Sequence, residues 1–174
     1  EAGVTLQYKP RIFRTMVITL SDRASKGEYE DRSGPRMREL LSGYFNEINW
    51  KNEFEYHVIP DQEEQLRGLV KSAIDKGFDF IFTTGGTGIG PRDITVDTIQ
   101  PLLDKEVPGI MEMIRMKYGA EKPNALISRS VAGVAGSSLI FTLPGSVKAV
   151  NEYIAEITKS LKHLVLMLHE IDAH

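Results

Sequence analysis

The sequence predicts an α/β fold, a three-layer α/β/α arrangement around a mainly parallel sheet. Three observations predict it. Short apolar, β-branched runs near residues 15–20, 54–59, 78–82 and 138–143 alternate with longer segments whose apolar side chains recur at helical spacing. Such alternation joins strands through crossover helices, which makes neighbouring strands parallel. The 174 residues suffice for one well-filled core. Each of the four runs is also followed by a polar or glycine-bearing cluster, as expected where such a sheet binds ligands.

Residues 1–11 carry little structural signal and are expected to be a flexible N-terminal tail, leaving 12–174 as a single domain. Thr15-Met16-Val17-Ile18-Thr19-Leu20 reads as the first strand, and the polar stretch from Ser21 to Gly27 breaks it. Gly34-Pro35 opens a helix carrying Met37, Leu40, Leu41, Tyr44 and Phe45. The second strand ends at Pro60-Asp61. Asp61 can cap the next helix, over 63–76, whose Leu66, Leu69, Val70, Ala73 and Ile74 form one face. Gly77 stops it, and the third strand, 78–82, leads into a glycine-rich stretch. A short helix is expected over 96–104 and another from Pro108-Gly109. The methionines of the latter, Met111, Met113 and Met116, suit a core or a subunit contact. Residues 123–130 read as irregular, 131–134 as a short strand and 138–143 as a clear one. A helix from about Val147 and an amphipathic segment over 154–168 close the chain.

Composition excludes several functions. The formal net charge is −3 and the pI about 5.9, unlike the strong basic balance of nucleic-acid-binding domains. With no cysteine, disulfides, thiolate metal sites and cysteine nucleophiles are ruled out. No apolar run approaches the ~18 residues of a membrane span, and no secretory signal opens the sequence. The expectation is a soluble cytoplasmic protein without a membrane or nucleic-acid partner.

The glycine-rich stretch runs Thr83-Thr84-Gly85-Gly86-Thr87-Gly88-Ile89-Gly90-Pro91-Arg92-Asp93-Ile94-Thr95. Glycines let backbone N–H groups approach an anion closely, and a following helix adds positive potential. It is not a Walker A loop, because Pro91-Arg92 follows Gly90 where Lys and a hydroxyl residue are needed. Nor is it a dinucleotide fingerprint, because Pro91 occupies the place of the third glycine. Arg92 can clamp a phosphate bidentately, and Asp93 can cap the helix or hold a metal.

A parallel sheet would bring four clusters to one rim: Ser21-Asp22-Arg23, Asp61, the glycine loop, and Pro144-Gly145-Ser146 with Lys148 beyond. Asp22, Asp61 and Asp93 supply carboxylates there, with Asp31 and Asp97 near in sequence. Ser21, Thr87, Thr95 and Ser146 supply hydroxyls, and Arg92, Arg129 and Lys148 positive charge. Carboxylates mixed with phosphate donors point to Mg²⁺ bound together with a nucleotide or another phosphate ester. Phosphoryl or nucleotidyl transfer needs positioning and electrostatics more than covalent chemistry. Each residue also has a plainer reading: Asp61 as a helix cap, Asp31 as one of several solvated charges, Pro144-Gly145 as a turn. The four histidines, His57, His163, His169 and His174, lack a metal-ligand spacing.

These segments resemble the molybdopterin adenylyltransferase family, of the molybdopterin-binding fold. The resemblance is carried by the glycine stretch through Thr95, by Ser21-Asp22-Arg23 with Asp31-Arg32-Ser33-Gly34-Pro35, and by Ile59-Pro60-Asp61. It continues through Glu106-Val107-Pro108-Gly109, Leu126-Ile127-Ser128-Arg129 and Leu143-Pro144-Gly145-Ser146, all in family order from about Thr15 to His169. Gly90, Val96-Asp97 and Val147 depart from the usual family residues.

The resemblance implies a step of molybdenum cofactor biosynthesis, transfer of AMP from ATP to molybdopterin with Mg²⁺ required. By motif match Asp61 and Asp93 are the catalytic carboxylates and the Mg²⁺ ligands. Thr84, Gly85, Gly86, Thr87 and Gly88, with Arg92 and Thr95, cradle phosphate or the adenylyl group. Ser21, Asp22, Asp31, Ser33 and Gly34 line the substrate pocket, completed by Ser128, Arg129, Pro144, Gly145, Ser146 and Lys148. A homotrimer or hexamer, and contact with the molybdate-inserting enzyme, are implied as well. Two alternatives stay open: a homologue that holds molybdopterin without turning it over, and a nucleotide pyrophosphatase or deamidase on the same fold.

Overall fold

The computed structural model describes residues 11–170. The tail expected over 1–11, apart from Arg11, and His174 lie outside the described residues. Fourteen short to long elements follow one another: β1 (Phe13–Leu20), α1 (Asp22–Ser25), α2 (Ser33–Glu47), β2 (Asn52–Ile59), α3 (Glu63–Asp75), β3 (Phe80–Thr84), α4 (Thr95–Ile99), a 3₁₀ turn (Gln100–Leu102), β4 (Lys105–Glu106), α5 (Pro108–Gly119), a second 3₁₀ turn (Pro123–Leu126), β5 (Ala132–Ala135), β6 (Ser138–Leu143) and α6 (Val147–Leu168). The sheet order is β2-β1-β3-β6-β5-β4. The first four strands are mutually parallel, and β5 and β4 add to the far edge antiparallel. The mainly parallel α/β fold is thus as the sequence predicts.

Side-chain alternation divides the core in two. Val17, Phe80, Phe82 and Phe141 face α2, α5 and α6, joining Met37, Leu41, Phe45, Ile114 and Ile157. Met16, Ile18, Ile81 and Ile140 face the other way, joining Leu66, Val70 and Ala73 of α3 and Ile99 of α4. A strand's period of two sends adjacent residues to opposite faces, so one sheet fills both layers. Phe82 and Phe141 stack at 4.8 Å across β3 and β6, and each buried ring contributes about 2–3 kcal/mol.

Some boundaries differ from the sequence reading, for identifiable reasons. Strand β3 starts two residues late because Gly77, at φ 75°, and Phe78 are occupied in closing α3, donating to Ile74 and Ala73. The helix expected over 96–104 tightens to a 3₁₀ turn at Gln100, where Pro101 lacks an amide hydrogen. The chain then adds β4, whose two exposed residues are too few to show a period. The segments from 147 and over 154–168 are one 22-residue helix. The methionines divide: Met111 is buried, whereas Met113 and Met116 are exposed. Among the described residues no helix is long and apolar enough to cross a membrane.

Glu156 ties α6 to α5. Its buried carboxylate accepts from Lys117 at 2.6 Å, Lys159 at 2.9 Å and the Tyr118 hydroxyl at 3.1 Å. The Lys117 ammonium, then that of Lys159, hold it down at about 2, against the ordinary glutamate value of 4.5. A depressed folded-state value stabilises the fold above the unfolded value, and this gain is lost as pH falls from 4.5 towards about 2. Both ammonium groups stand half exposed, so screening limits the contribution to about 1–2 kcal/mol. Glu156→Gln should therefore lower stability by that amount at neutral pH. The gap to wild type should close between pH 4.5 and about 2 in denaturant titrations. A gap that persists undiminished in acid would contradict the ion-pair account.

Candidate active site

The carboxyl ends of β1, β2, β3 and β6 lie side by side, and the four polar clusters meet there as the topology requires. A cleft of about 380 Å³ opens between them. Ser21, Asp31, Ser33, Asp61, Thr84, Gly85, Gly86, Thr87, Gly88, Arg92, Asp93 and Gly145 line it, and so does Tyr29, which the sequence reading did not single out.

A reciprocal clip builds the floor. The Asp61 amide donates to Asp22 Oδ1 at 3.0 Å, and the Asp22 amide donates to Asp61 Oδ2 at 3.1 Å. This joins the ends of β1 and β2, and it replaces the helix cap that Asp61 could have been. Gln62 takes the N-cap position of α3, without a side-chain cap bond. Arg92 reaches back over 70 residues and donates bidentately to Asp22, at 2.9 and 3.0 Å. That pair, then the Asp61 amide, hold the Asp22 carboxyl below its ordinary value. Asp61 goes the other way. Burial pushes its carboxyl up, and the Asp22 and Asp93 charges add to this against Arg92. The two carboxylates of the clip are therefore unlike: Asp22 is neutralised by a cation, while Asp61 keeps Oδ1 without a partner among the described residues.

The glycine loop is shaped from beneath. The buried Thr95 donates its hydroxyl to the Gly85 carbonyl at 2.8 Å and its amide to Gly86 at 3.1 Å. Thr84 donates to the Pro144 carbonyl at 2.8 Å, and the Gly85 amide to Leu143 at 2.9 Å. Gly85 and Gly86 take φ of 102° and 72°. A Cβ at Gly86 would sit against Thr95 Oγ1 and 3.4 Å from Asp61 Oδ1. The missing side chain therefore leaves a cradle beside the partnerless oxygen. With the Gly85 and Gly86 carbonyls accepting from Thr95, and those of Thr87 and Gly88 from Arg129, the amides of Gly86, Thr87 and Gly88 donate to nothing among the described residues, which suits them to an anion. Asp93 is not a helix cap either: its Oδ2 accepts from the Gly90 amide at 2.8 Å, and Ile94 precedes α4 without a capping side chain.

The remaining predicted residues divide. Ser128 joins the loop through Thr87, hydroxyl to hydroxyl at 3.0 Å, and Ser130 continues the chain at 2.9 Å. Arg129 braces the loop instead of facing into it, donating to the Gly88 carbonyl at 3.0 Å and bidentately to Asp97. Ser128, Pro144, Ser146 and Lys148 line a neighbouring cavity of about 370 Å³. There Ser146 caps α6 through the Ala149 amide at 3.1 Å, and Lys148 stands 3.9 Å from Glu152. Gly34 lies in the first turn of α2. Thr19 and Tyr29 are cleft residues the sequence reading passed over, and no motif marks them.

Among the described residues no three His, Asp or Glu side chains cluster to hold a metal alone. Two separate carboxylates beside a glycine cradle nevertheless fit Mg²⁺, which is held by one or two carboxylates together with substrate phosphates.

The sequence profile of a family described as "probable molybdopterin binding domain" matches residues 16–163. A Helicobacter pylori relative named molybdopterin adenylyltransferase is 37% identical over 151 residues, 86% of this chain and 84% of its own. One of the same name from Pyrococcus furiosus is 37% identical over 161 residues, 90% of this chain and 91% of its own. The crystal structure of the molybdopterin biosynthesis enzyme MoaB from Thermus thermophilus superposes with a TM-score of 0.80 at 35% identity, covering 91% of this chain and 97% of that one.

Proposed function

The chain belongs to the molybdopterin-binding domain family, and from that membership we propose that it transfers AMP from ATP to molybdopterin in molybdenum cofactor biosynthesis. In the proposed reaction an oxygen of molybdopterin's terminal phosphate forms a bond to the α-phosphorus of ATP. The α–β bridging P–O bond breaks, and its electron pair leaves with pyrophosphate. The observation that carries this reading is the meeting of Asp61, Asp93 and the undonated amides of Gly86–Gly88 in one cleft.

Each group has a role that its surroundings support. Asp61 and Asp93 would hold Mg²⁺, which when bound supplies charge neutralisation at the phosphate oxygens. The loop amides donate to non-bridging oxygens, and being fixed by Thr95 they need no reorganisation as charge develops. Arg92, whose charge Asp22 pairs and orients, would donate to phosphate through its remaining nitrogen. Ser21, Ser33 and Tyr29 line the same cleft and would form the wall for the second substrate. Retention of both Asp61 and Asp93 in the cleft favours turnover over mere holding. We also propose a trimer formed through the α5 side, where Met113 and Met116 are exposed together with Leu126 and Ile127 of the following turn.

Purified protein given ATP, Mg²⁺ and molybdopterin should form adenylylated molybdopterin and pyrophosphate, and should lose the product when any component is omitted. Bound but unmodified molybdopterin would replace this reading with the binding homologue. Neither binding nor product would turn attention to nucleotide pyrophosphates.

A further inference from the structure

Asp31 lines the cleft, yet its carboxylate is fully engaged by the protein. Oδ2 accepts from the Thr19 hydroxyl on β1 at 2.7 Å and from the Tyr56 phenol on β2. Oδ1 accepts from the Ser33 hydroxyl at 3.2 Å and the Gly34 amide at 3.3 Å. A carboxylate offers about four acceptor directions, so these four donors leave none for a ligand. Asp31 is a junction between two strands and the start of α2.

Tyr56 reaches that junction from the sheet's edge strand. Gly34 makes room for it: a Cβ there would meet Tyr56 Cε2 at 2.6 Å, and Asp31 and Thr19 as well. Burial first, then Asp31, push the phenol's pKa up, which keeps its hydroxyl protonated and donating. Between the Asp22 clip and Asp31, the loop has only local ties among the described residues. The Gly27 amide donates to Ala24, the Glu28 amide to Arg23, and the Arg23 guanidinium lies over the Tyr29 ring at 5.7 Å. Residues 25–30 are exposed. The Asp31 junction is therefore what fastens the far end of this loop to the sheet.

We propose that Tyr56 is a positioning residue: through Asp31 it latches the first loop, residues 21–33, and so places Tyr29 and Ser33 on the cleft wall. Tyr56 does not itself line the cleft. The latch acts on substrate binding, through the geometry of the loop, and leaves the reacting phosphates untouched.

Tyr56→Phe keeps the ring against Gly34 and removes only the hydroxyl. Limited trypsin digestion of the native protein should cut at Arg23, Lys26 and Arg32 about fivefold faster in this variant, as one lost hydrogen bond raises the open population. Cleavage at Lys71, in α3, reports global opening and should not change. Asp31→Asn should loosen the same three sites. In the transfer assay, KM for molybdopterin should rise about fivefold in Tyr56→Phe with kcat within about twofold. Unchanged loop cleavage, or equal acceleration at Lys71, overturns the latch. Faster loop cleavage with an unchanged KM overturns the positioning role. The kinetic arm rests on the adenylyl-transfer reading and the digestion does not. A wild-type protein without transfer activity thus sinks that reading, while digestion still decides the latch.

Discussion

Asp61→Ala should lower AMP transfer by about a thousandfold while the protein stays folded. The catalytic loss follows from its position. Asp61 is the partly buried carboxylate whose Oδ1 is free beside the Gly86 cradle, and burial first, then the Asp22 and Asp93 charges, raise its pKa. If Asp61 holds Mg²⁺ as proposed, losing that ligand would remove several kcal/mol of transition-state stabilisation, or about 10³-fold in rate. The structural loss is small. The variant forfeits one hydrogen bond, from the Asp22 amide at 3.1 Å, worth about 1 kcal/mol. The reciprocal bond, from the main-chain amide at position 61 to the Asp22 carboxylate, survives, and a carboxylate held above its ordinary value by burial no longer has to be ionised there. Asp61→Asn separates the two effects further, because the amide oxygen can still accept from Asp22. Wild-type turnover by either variant would remove Asp61 from the mechanism.

Gly85→Ala should have the largest effect on stability, about 2–4 kcal/mol, seen as a fall in Tm of roughly 5–15 °C. Two independent penalties combine. At φ 102° the backbone occupies a region that L side chains avoid, and an added Cβ would collide with the Leu20 carbonyl oxygen. That carbonyl ends β1 in the centre of the sheet and has little room to retreat. Transfer activity should fall with stability, because the amides of Gly86–Gly88 follow directly on the displaced residue. A variant with wild-type Tm would show that the loop is not held as described.

These two residues illustrate how much of the molecule was legible in its sequence. Glycines at the end of an apolar run announced a tight turn, and the alternation of elements placed that turn on the same rim as Ser21, Asp61 and Pro144. Parallel topology did the rest, because it puts the strand ends together whatever the side chains do. What the sequence withheld is the pairing between side chains far apart in the chain. Arg92 reads as a phosphate clamp, and nothing local indicates that Asp22 holds it; Arg129 is likewise turned to Asp97. Asp61 after Pro60 has the look of a helix cap, since the amide it accepts from is 39 residues away. Tyr56 sits in an alternating strand, where one outward aromatic looks like any other until Gly34 and Asp31 are seen against it. Strand β4 escaped because its strand character comes from pairing with β5, and its own two charged residues carry no pattern.

The central claim is that this cleft moves an adenylyl group to a pterin phosphate. The most direct test follows the phosphorus: wild-type protein is incubated with Mg²⁺, molybdopterin and ATP labelled at the α-phosphate, in parallel with ATP labelled at the γ-phosphate. The account predicts α-label in the pterin product, in equal amount to the pyrophosphate released, and γ-label only in pyrophosphate. Label released as free AMP with the pterin unmodified, or γ-label carried into the pterin, would contradict it.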